Sequence, residues 1–214
     1  MGWQSVLNVF RSPVRIGVQV GHLEAAHHPE ELAALRVNTG GRGLGMDEVA
    51  LNLAVAEHLE RTLEADGVLV DLLPATVPPG YRADLFLSLH ADASLDPTRR
   101  GYKSAHFVSE AAPEGRNARE PLLKRALDEA YFYYSGLPDD DANVSGAMLE
   151  YYAFNHRRFR YTVAPRTPAV IVEMGYLSNP SDMAFLSDPV NPAYALRQGV
   201  LAYLRAQGRL PESE

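Results

Sequence analysis

Two histidines and two glutamates stand where side chains from different strands could meet. His22, His90 and Glu173 each come at the end of an apolar stretch that predicts a buried strand, and Glu48 opens the first long helical pattern. In open sheets flanked by helices, functional residues gather at the carboxyl ends of the strands. Two imidazoles and one carboxylate there, with a second carboxylate free, suit a catalytic zinc site with a general base.

Each of these residues also has an ordinary structural explanation when it is taken alone. A single histidine after an apolar run is usually a structural residue, and a first-turn glutamate is favoured by the helix dipole. Glu173 is harder to explain, because a carboxylate directly after Val-Ile-Val is expected to be buried, and burial without a partner is costly. A metal or a proton-transfer role removes that cost. The four residues together favour a metal site.

A second candidate pair is His27 and Glu30, whose His-x-x-Glu spacing occurs in some metallocarboxypeptidases. A zinc peptidase of the carboxypeptidase type therefore stays open as an alternative. The pair falls inside a predicted loop and not at a strand end, which favours the first group. His58 is expected on the solvent side of a helix, His106 on an edge strand and His156 in a basic surface run.

Composition narrows the classes of function. The chain has 214 residues, 46% hydrophobic and 22% charged, which predicts one ordinary globular domain. The net charge is −7 and no block of Lys and Arg occurs, so nucleic acid is not an expected partner. Cysteine is absent, so zinc would need His and carboxylate ligands. No run approaches the roughly 18 apolar residues of a membrane span.

The pattern of apolar residues predicts an α/β fold. We expect a single domain with a mostly parallel twisted sheet of about five to six strands and helices on both faces, because strands alternate with helices. The predicted strands cover 15–20, 68–73, 84–89, 105–108 and 170–173. Helices are predicted from the N-cap Asp47 onward and over 118–134, 181–186 and 193–206, with a weaker helix in 145–155.

The remaining segments are predicted to connect or to flank these elements. Residues 1–14 are expected to be a lead-in without signal-peptide features, and 209–214 a frayed acidic tail. The connection 23–46 is long, and loops of that length are usually functional or mobile. Its glycine-rich end at 39–45 lacks a following Gly-Lys-Ser/Thr, so a phosphate-binding turn is not expected. Asp139–Asp141 is predicted to be a solvated acidic turn.

Four motifs make the chain similar to the zinc-dependent N-acetylmuramoyl-L-alanine amidases of the Amidase_3 family. Val20-Gly-His22 resembles the family's Pro-Gly-His, and Glu48 resembles the glutamate that opens the first long helix. The segment 84–93, Asp-Leu-Phe-Leu-Ser-Leu-His-Ala-Asp-Ala, resembles "D-hydrophobic-SIHAN/DA". The segment 168–179, Pro-Ala-Val-Ile-Val-Glu-Met-Gly-Tyr-Leu-Ser-Asn, resembles "PAVLVELGFLSN". The last two motifs are long and specific.

The resemblance implies a zinc amidase catalytic domain over 15–208. It implies that His22, Glu48 and His90 hold Zn²⁺ and that Glu173 is the catalytic base. The implied reaction is hydrolysis of the amide bond between N-acetylmuramic acid and L-alanine, with peptidoglycan or a muropeptide as substrate. The implied location is the cell envelope or the extracellular space, and a monomer is expected.

The chain departs from the family in three places. Gln19-Val20 stands where Asp-Pro is usual, the connection from His22 to Glu48 is longer than is common, and 137–167 matches the family poorly. A non-catalytic wall-binding or regulatory module of the same fold is a third hypothesis. The intact set of four residues argues against it.

Overall fold

A computed structural model describes residues 12–110, 112 and 115–211. The strands in this part of the chain are β1 (Arg15–Val20), β2 (Arg42–Gly43), β3 (Met46–Asp47), β4 (Leu69–Leu73), β5 (Leu85–Asp92), β6 (Lys103–Ala105) and β7 (Ala169–Tyr176). The α-helices are α1 (Glu48–Ala65), α2 (Glu120–Ser135), α3 (Gly146–Leu149), α4 (Pro180–Leu186) and α5 (Val190–Ala206). Short 3₁₀ helices cover Ala25–His27, Glu30–Leu35, Asp141–Asn143 and Tyr152–Phe154.

Five strands form one sheet in the order β4-β1-β5-β7-β6. Strands β4, β1, β5 and β7 are parallel, and the short edge strand β6 runs antiparallel to β7. The predicted mostly parallel sheet is thus confirmed. The predicted fourth strand does lie at an edge, over 103–105 instead of 105–108.

Helix α1 begins where the sequence predicts it. The Asp47 carboxylate accepts hydrogen bonds from the backbone N–H groups of Val49 and Ala50, which is the usual geometry of an N-cap. The apolar residues that recur every fourth position are buried against the sheet: Leu51, Val55, Leu59 and Leu63. Capping and packing together fix the first turn of α1, and with it the position of Glu48.

Alternate residues of the central strands face two separate apolar cores. Leu85 and Leu87 pack in the core shared with the long helices α1, α2 and α5. Phe86 and Ile171 face the opposite side, where α3, the 3₁₀ helices and Phe154 cover the sheet. Helical elements therefore lie on both faces, as predicted, but the three long helices share one of them.

Two segments differ from their predicted structure. The weak helix prediction over 145–155 is only partly right, because the chain forms α3, turns at Glu150 and Tyr151, and continues as a 3₁₀ helix. The glycine-rich stretch forms the small antiparallel hairpin β2–β3, which the sequence did not predict. Residues 1–11 of the predicted lead-in and 212–214 of the predicted tail lie outside the described residues.

In the described ranges, no helix combines the length and hydropathy that crossing a bilayer requires.

We predict that Gly199→Ala destabilises the packing of α2 on α5. A Cβ atom at this position would lie 2.7 Å from the Leu127 Cα and 2.9 Å from the Ala126 carbonyl oxygen, and helix backbones cannot yield easily. The free energy of unfolding, measured in urea, should fall by about 1–3 kcal/mol. Gly146→Ala is the matched control, because its Cβ would meet nothing within 4 Å. Equal stability of the two variants would contradict the prediction.

Candidate metal centre

The parallel sheet brings three of the four candidate residues to one edge. His90 and Glu173 are register partners on the neighbouring strands β5 and β7. Strand β1 lies on the other side of β5, and His22 follows two residues after its end. The fourth residue, Glu48, reaches the same edge from the first turn of α1. The order of the strands thus brings His22 and Glu173, which are 151 positions apart in the sequence, to the same edge.

His22, Glu48 and His90 form a compact triangle of ligand atoms. The His22 Nε2 lies 3.2 Å and the His90 Nδ1 3.1 Å from the same Glu48 Oε1. The two ring nitrogens are 3.1 Å apart. Ligand atoms of a tetrahedral zinc site, at about 2.0–2.1 Å from the ion, are separated by about 3.3 Å. Within the described residues this is the group of three His and acidic side chains that could hold a metal ion.

The outer nitrogen of each imidazole has an acceptor of its own. The His22 Nδ1 lies 3.1 Å from the Asn38 carbonyl oxygen, and the His90 Nε2 lies 3.4 Å from the Tyr151 hydroxyl. Each ring can therefore carry its hydrogen on the outside and direct a lone pair toward the centre of the triangle. Such outer contacts orient metal-binding histidines and fix their tautomer.

Backbone N–H groups hold the Glu48 carboxylate in place. The Gly41 N–H donates to Oε2 over 2.6 Å, and the Ala91 N–H donates to Oε1 over 3.3 Å. Ala91 lies where the register of β5 against β7 shifts, between His90 and Asp92. The carboxylate is thus fixed by the glycine-rich loop on one side and by β5 on the other.

Glycines surround the triangle where a side chain would displace it. A Cβ at Gly21 would lie 2.5 Å from His90 Cε1, and one at Gly40 would lie 3.2 Å from Glu48 Oε2. Gly40 also has a φ of 85°, which other residues rarely adopt. The glycine-rich stretch, excluded as a phosphate turn from the sequence, therefore packs directly on the candidate ligands.

His22 adopts an uncommon backbone conformation, with a φ of 64°. Non-glycine residues in the left-handed region are infrequent and cluster at functional sites. This conformation follows directly on Gly21, just after β1, and the His22 imidazole meets the His90 ring edge to face with centroids 4.7 Å apart.

The triangle is strongly coupled electrostatically. Burial by itself raises the pKa of Glu48, but hydrogen bonds from His22 and His90 reverse this, and the pKa lies well below its ordinary value. Burial lowers the pKa of His90. Burial also opposes the charge on His22, yet its hydrogen bond to Glu48 raises the pKa above the usual value. An ionised carboxylate therefore faces one neutral and one readily protonated imidazole.

Glu173 lies beside the triangle in a different environment. Its Oε2 is buried and has no hydrogen-bond partner among the described residues. Burial, followed by the negative charges of Glu48 and Asp92, raises the pKa of Glu173 well above its ordinary value, and Lys103 opposes this shift. A raised pKa and an oxygen without a hydrogen-bond partner are expected of a carboxyl group that transfers protons.

Lys103 lies opposite Glu173 on the edge strand β6 and is nearly fully buried. Its ammonium group contacts Asp92 at 2.6 Å, the Tyr176 hydroxyl at 2.8 Å and Asp140 at 3.3 Å. The turn that contains Asp140 was predicted to be solvated. That prediction is wrong for Asp140, because the buried ammonium of Lys103 draws this carboxylate against the sheet.

A cavity of ≈ 590 Å³ opens over the four residues. Its walls come from the long connection 23–46 and from the segment 137–167. Wall residues from both segments include Leu32, Leu35, Met148, Tyr151, Arg158 and Phe159. The two walls are joined because the Glu31 carboxylate accepts backbone N–H groups of Arg160 and Tyr161 at 3.0 and 2.9 Å. The segments to which the sequence assigned no role therefore shape the groove.

The alternative candidates lie elsewhere. His27 is exposed on a 3₁₀ helix, and Glu30 is exposed and pairs with Arg36. Neither lines the cavity, so the structure does not support the His-x-x-Glu pair as a metal site. His106 is partly buried and follows the edge strand, and His156 is exposed, as predicted.

Sequence reasoning missed four residues that support the site. Asn38 and Tyr151 accept from the imidazoles, Gly41 donates to Glu48, and Asp92 binds Lys103 beside Glu173. The doublet Gly40-Gly41 was the available signal, because adjacent glycines often mark close backbone approach. Asn38 contributes its backbone carbonyl oxygen, and every residue type has that group, so the sequence gives no signal for it.

A parallel α/β sheet with a His-Glu-His group and a free carboxylate at its carboxyl edge is the arrangement of a metal-dependent hydrolase. The profile of the N-acetylmuramoyl-L-alanine amidase family, Amidase_3, matches residues 18–202. This match covers most of the chain, and the chain belongs to that family.

Individual relatives agree with this assignment. The amidase LytC of Bacillus subtilis (strain 168) is 24% identical over 182 residues, which are 78% of this chain and 33% of LytC. The chain thus spans about a third of that relative's length. The structure of the amidase Ami1 from Mycobacterium smegmatis has a TM-score of 0.64 at 16% identity, covering 91% of this chain and 98% of Ami1. The catalytic domain of the amidase CwlV from Bacillus (Paenibacillus) polymyxa has a TM-score of 0.60 at 20% identity, covering 90% of this chain and 98% of the CwlV domain.

We predict that zinc binding weakens as the pH falls from 8 to 6. The pKa of His22 is raised, so a proton occupies this imidazole over the lower part of that range and must leave before a metal binds. The pKa of Glu48 is lowered, so its carboxylate stays ionised over this range and does not contribute to the pH dependence of zinc binding. Competition titration with a chelator should show the dissociation constant rising by up to about tenfold per pH unit once His22 is protonated. A constant affinity would contradict this.

Proposed function

We propose that residues 15–208 form a zinc-dependent catalytic domain that hydrolyses the amide between N-acetylmuramic acid and L-alanine in peptidoglycan. The observation that carries the proposal is the triangle of His22, Glu48 and His90 beside the buried, unpartnered Oε2 of Glu173, in a chain of the amidase family. A non-catalytic module would have no need of a carboxyl oxygen that is buried without a partner.

The donor set suits zinc. Two imidazole nitrogens and one carboxylate oxygen match the ligands of catalytic zinc sites, and their spacing of 3.1–3.2 Å would let all three contact one ion. In our assignment His22, Glu48 and His90 hold the ion. When bound, zinc lowers the pKa of water and stabilises negative charge on a carbonyl oxygen.

In the proposed mechanism, Glu173 moves the proton. Its carboxylate takes a proton from the attacking water as the new carbon–oxygen bond forms at the lactyl carbonyl carbon. The carbon–nitrogen bond then breaks, and Glu173 returns the proton to the nitrogen of the departing L-alanine. The products are a lactyl carboxylate and a peptide with a free amine. The positive charge of a bound cation would favour the ionised form of Glu173 at the start of the cycle.

The groove supports an extended substrate. The cavity is large enough for part of a glycopeptide, and its walls combine apolar side chains with the charged side chain of Arg158. We propose peptidoglycan or a soluble muropeptide as the substrate, which places the activity in the cell envelope or outside the cell. LytC carries the name of an amidase with the same specificity.

We predict that Glu173→Gln separates catalysis from metal binding. The amide keeps the size of the side chain but cannot accept the proton, so the release of stem peptides from purified peptidoglycan should fall by about 10²–10⁴-fold. Zinc content by elemental analysis should stay at the wild-type level. Glu48→Gln is the paired variant, for which we expect loss of zinc and activity together. Loss of zinc from Glu173→Gln would make Glu173 a ligand and contradict the assigned role.

The two alternatives give different results in the same assay. A carboxypeptidase-type site would lose zinc in His27→Ala, whereas we expect zinc content and activity to change less than about twofold for this exposed residue. A wall-binding module would bind zinc and peptidoglycan tightly without releasing amine. Either result would overturn the proposed reaction.

A further inference from the structure

Gln19 belongs to one of the three places where the sequence departs from the family pattern, and it is completely buried. Every hydrogen-bonding site of its amide is used. The Oε1 accepts from the Ser88 hydroxyl at 2.7 Å and from the Tyr151 hydroxyl at 3.1 Å. The Nε2 donates to the Ala75 carbonyl at 2.7 Å and to the Tyr152 hydroxyl at 2.8 Å. A buried side-chain amide that is fully satisfied is rigid, because any rotation leaves polar groups unpaired.

The direction of each hydrogen bond in this network is determined. The Ala75 carbonyl only accepts, so the amide nitrogen of Gln19 must face it and Oε1 must face Tyr151. The Tyr151 hydroxyl therefore donates to Gln19 and keeps a lone pair for the His90 Nε2, 3.4 Å away. An imidazole that donates from Nε2 has an unprotonated Nδ1. The Nδ1 of His90 is the atom that faces the metal triangle.

We propose that Gln19 and Tyr151 are positioning residues for the metal centre, acting through the tautomer and orientation of His90. This inference rests on the proposed zinc site. It adds a contact between that site and the groove wall, because Tyr151 belongs to the segment 137–167 and also lines the cavity. The ring of Tyr151 meets the His90 ring edge to face, with centroids 5.8 Å apart, which limits rotation of the imidazole.

A competing hydrogen bond explains why this support matters. The His90 Nδ1 lies 3.1 Å from Glu48 Oε1, so in the absence of a metal the imidazole can donate to Glu48 from Nδ1 instead. That tautomer must be given up before Nδ1 can bind an ion. Removing the Tyr151 hydroxyl, which accepts from Nε2, favours the tautomer with the hydrogen on Nδ1 and so weakens metal binding. Outer-shell contacts of this kind typically contribute 10–100-fold to metal affinity.

The test compares Tyr151→Phe with Tyr152→Phe and the wild-type chain. Both changes remove one hydroxyl from the same buried network, but only Tyr151 contacts His90. We expect the zinc dissociation constant, measured by chelator competition, to rise about 10–100-fold in Tyr151→Phe and less than about twofold in Tyr152→Phe. Urea unfolding of the metal-free proteins shows that each variant is folded.

A second measurement reads the hydrogen bond itself. In the Co²⁺-substituted wild type, the proton NMR spectrum should contain a slowly exchanging imidazole N–H signal from His90, and in Tyr151→Phe this signal should broaden or vanish through exchange with water. The role of Tyr151 would be overturned if Tyr151→Phe bound zinc as tightly as the wild type. It would also be overturned if Tyr151→Phe and Tyr152→Phe lost the same amount of zinc affinity. Absence of zinc binding by the wild type would instead overturn the metal site on which the inference rests.

Discussion

The structure depends on keeping one ionised carboxylate, that of Glu48, between two imidazoles in a nearly buried site. Burying a charge is costly unless hydrogen bonds and opposite charges compensate it. Here the compensation comes from backbone N–H groups of Gly41 and Ala91 and from the two histidines. The glycine-rich loop, the register shift between β5 and β7 and the N-cap of α1 all lie next to this carboxylate, and a cation is the natural centre of such a cluster.

Two carboxylates at the same edge of the sheet acquire opposite properties from their surroundings. Glu48 receives donors and positive charge, and its pKa is low. Glu173 is partly buried, lies near the negative charges of Glu48 and Asp92 and has an enclosed Oε2 without a partner, and its pKa is high. The first is suited to hold a metal and the second to exchange a proton. This division between two similar side chains is the physical basis of the proposed mechanism.

A buried amide connects the candidate ligand His90 to the groove wall. Gln19 is completely buried, and its amide is bound on all sides by Ser88, Ala75, Tyr151 and Tyr152. The Tyr151 hydroxyl also contacts His90, and Tyr151 lines the cavity. The groove wall and the candidate metal centre are therefore parts of one hydrogen-bonded unit.

The sequence by itself determined the four parallel strands, the start of α1 and the four candidate residues, because apolar periodicity and capping act over a few neighbouring positions. It also determined their edge of the sheet, because parallel strands end together. Only the tertiary structure decided that Gly41 and Ala91 hold Glu48, that Asn38 and Tyr151 face the imidazoles, and that Lys103 draws in Asp140. These contacts join residues far apart in the chain through backbone groups and ordinary side chains, and their strength depends on distance and burial, which residue types do not encode.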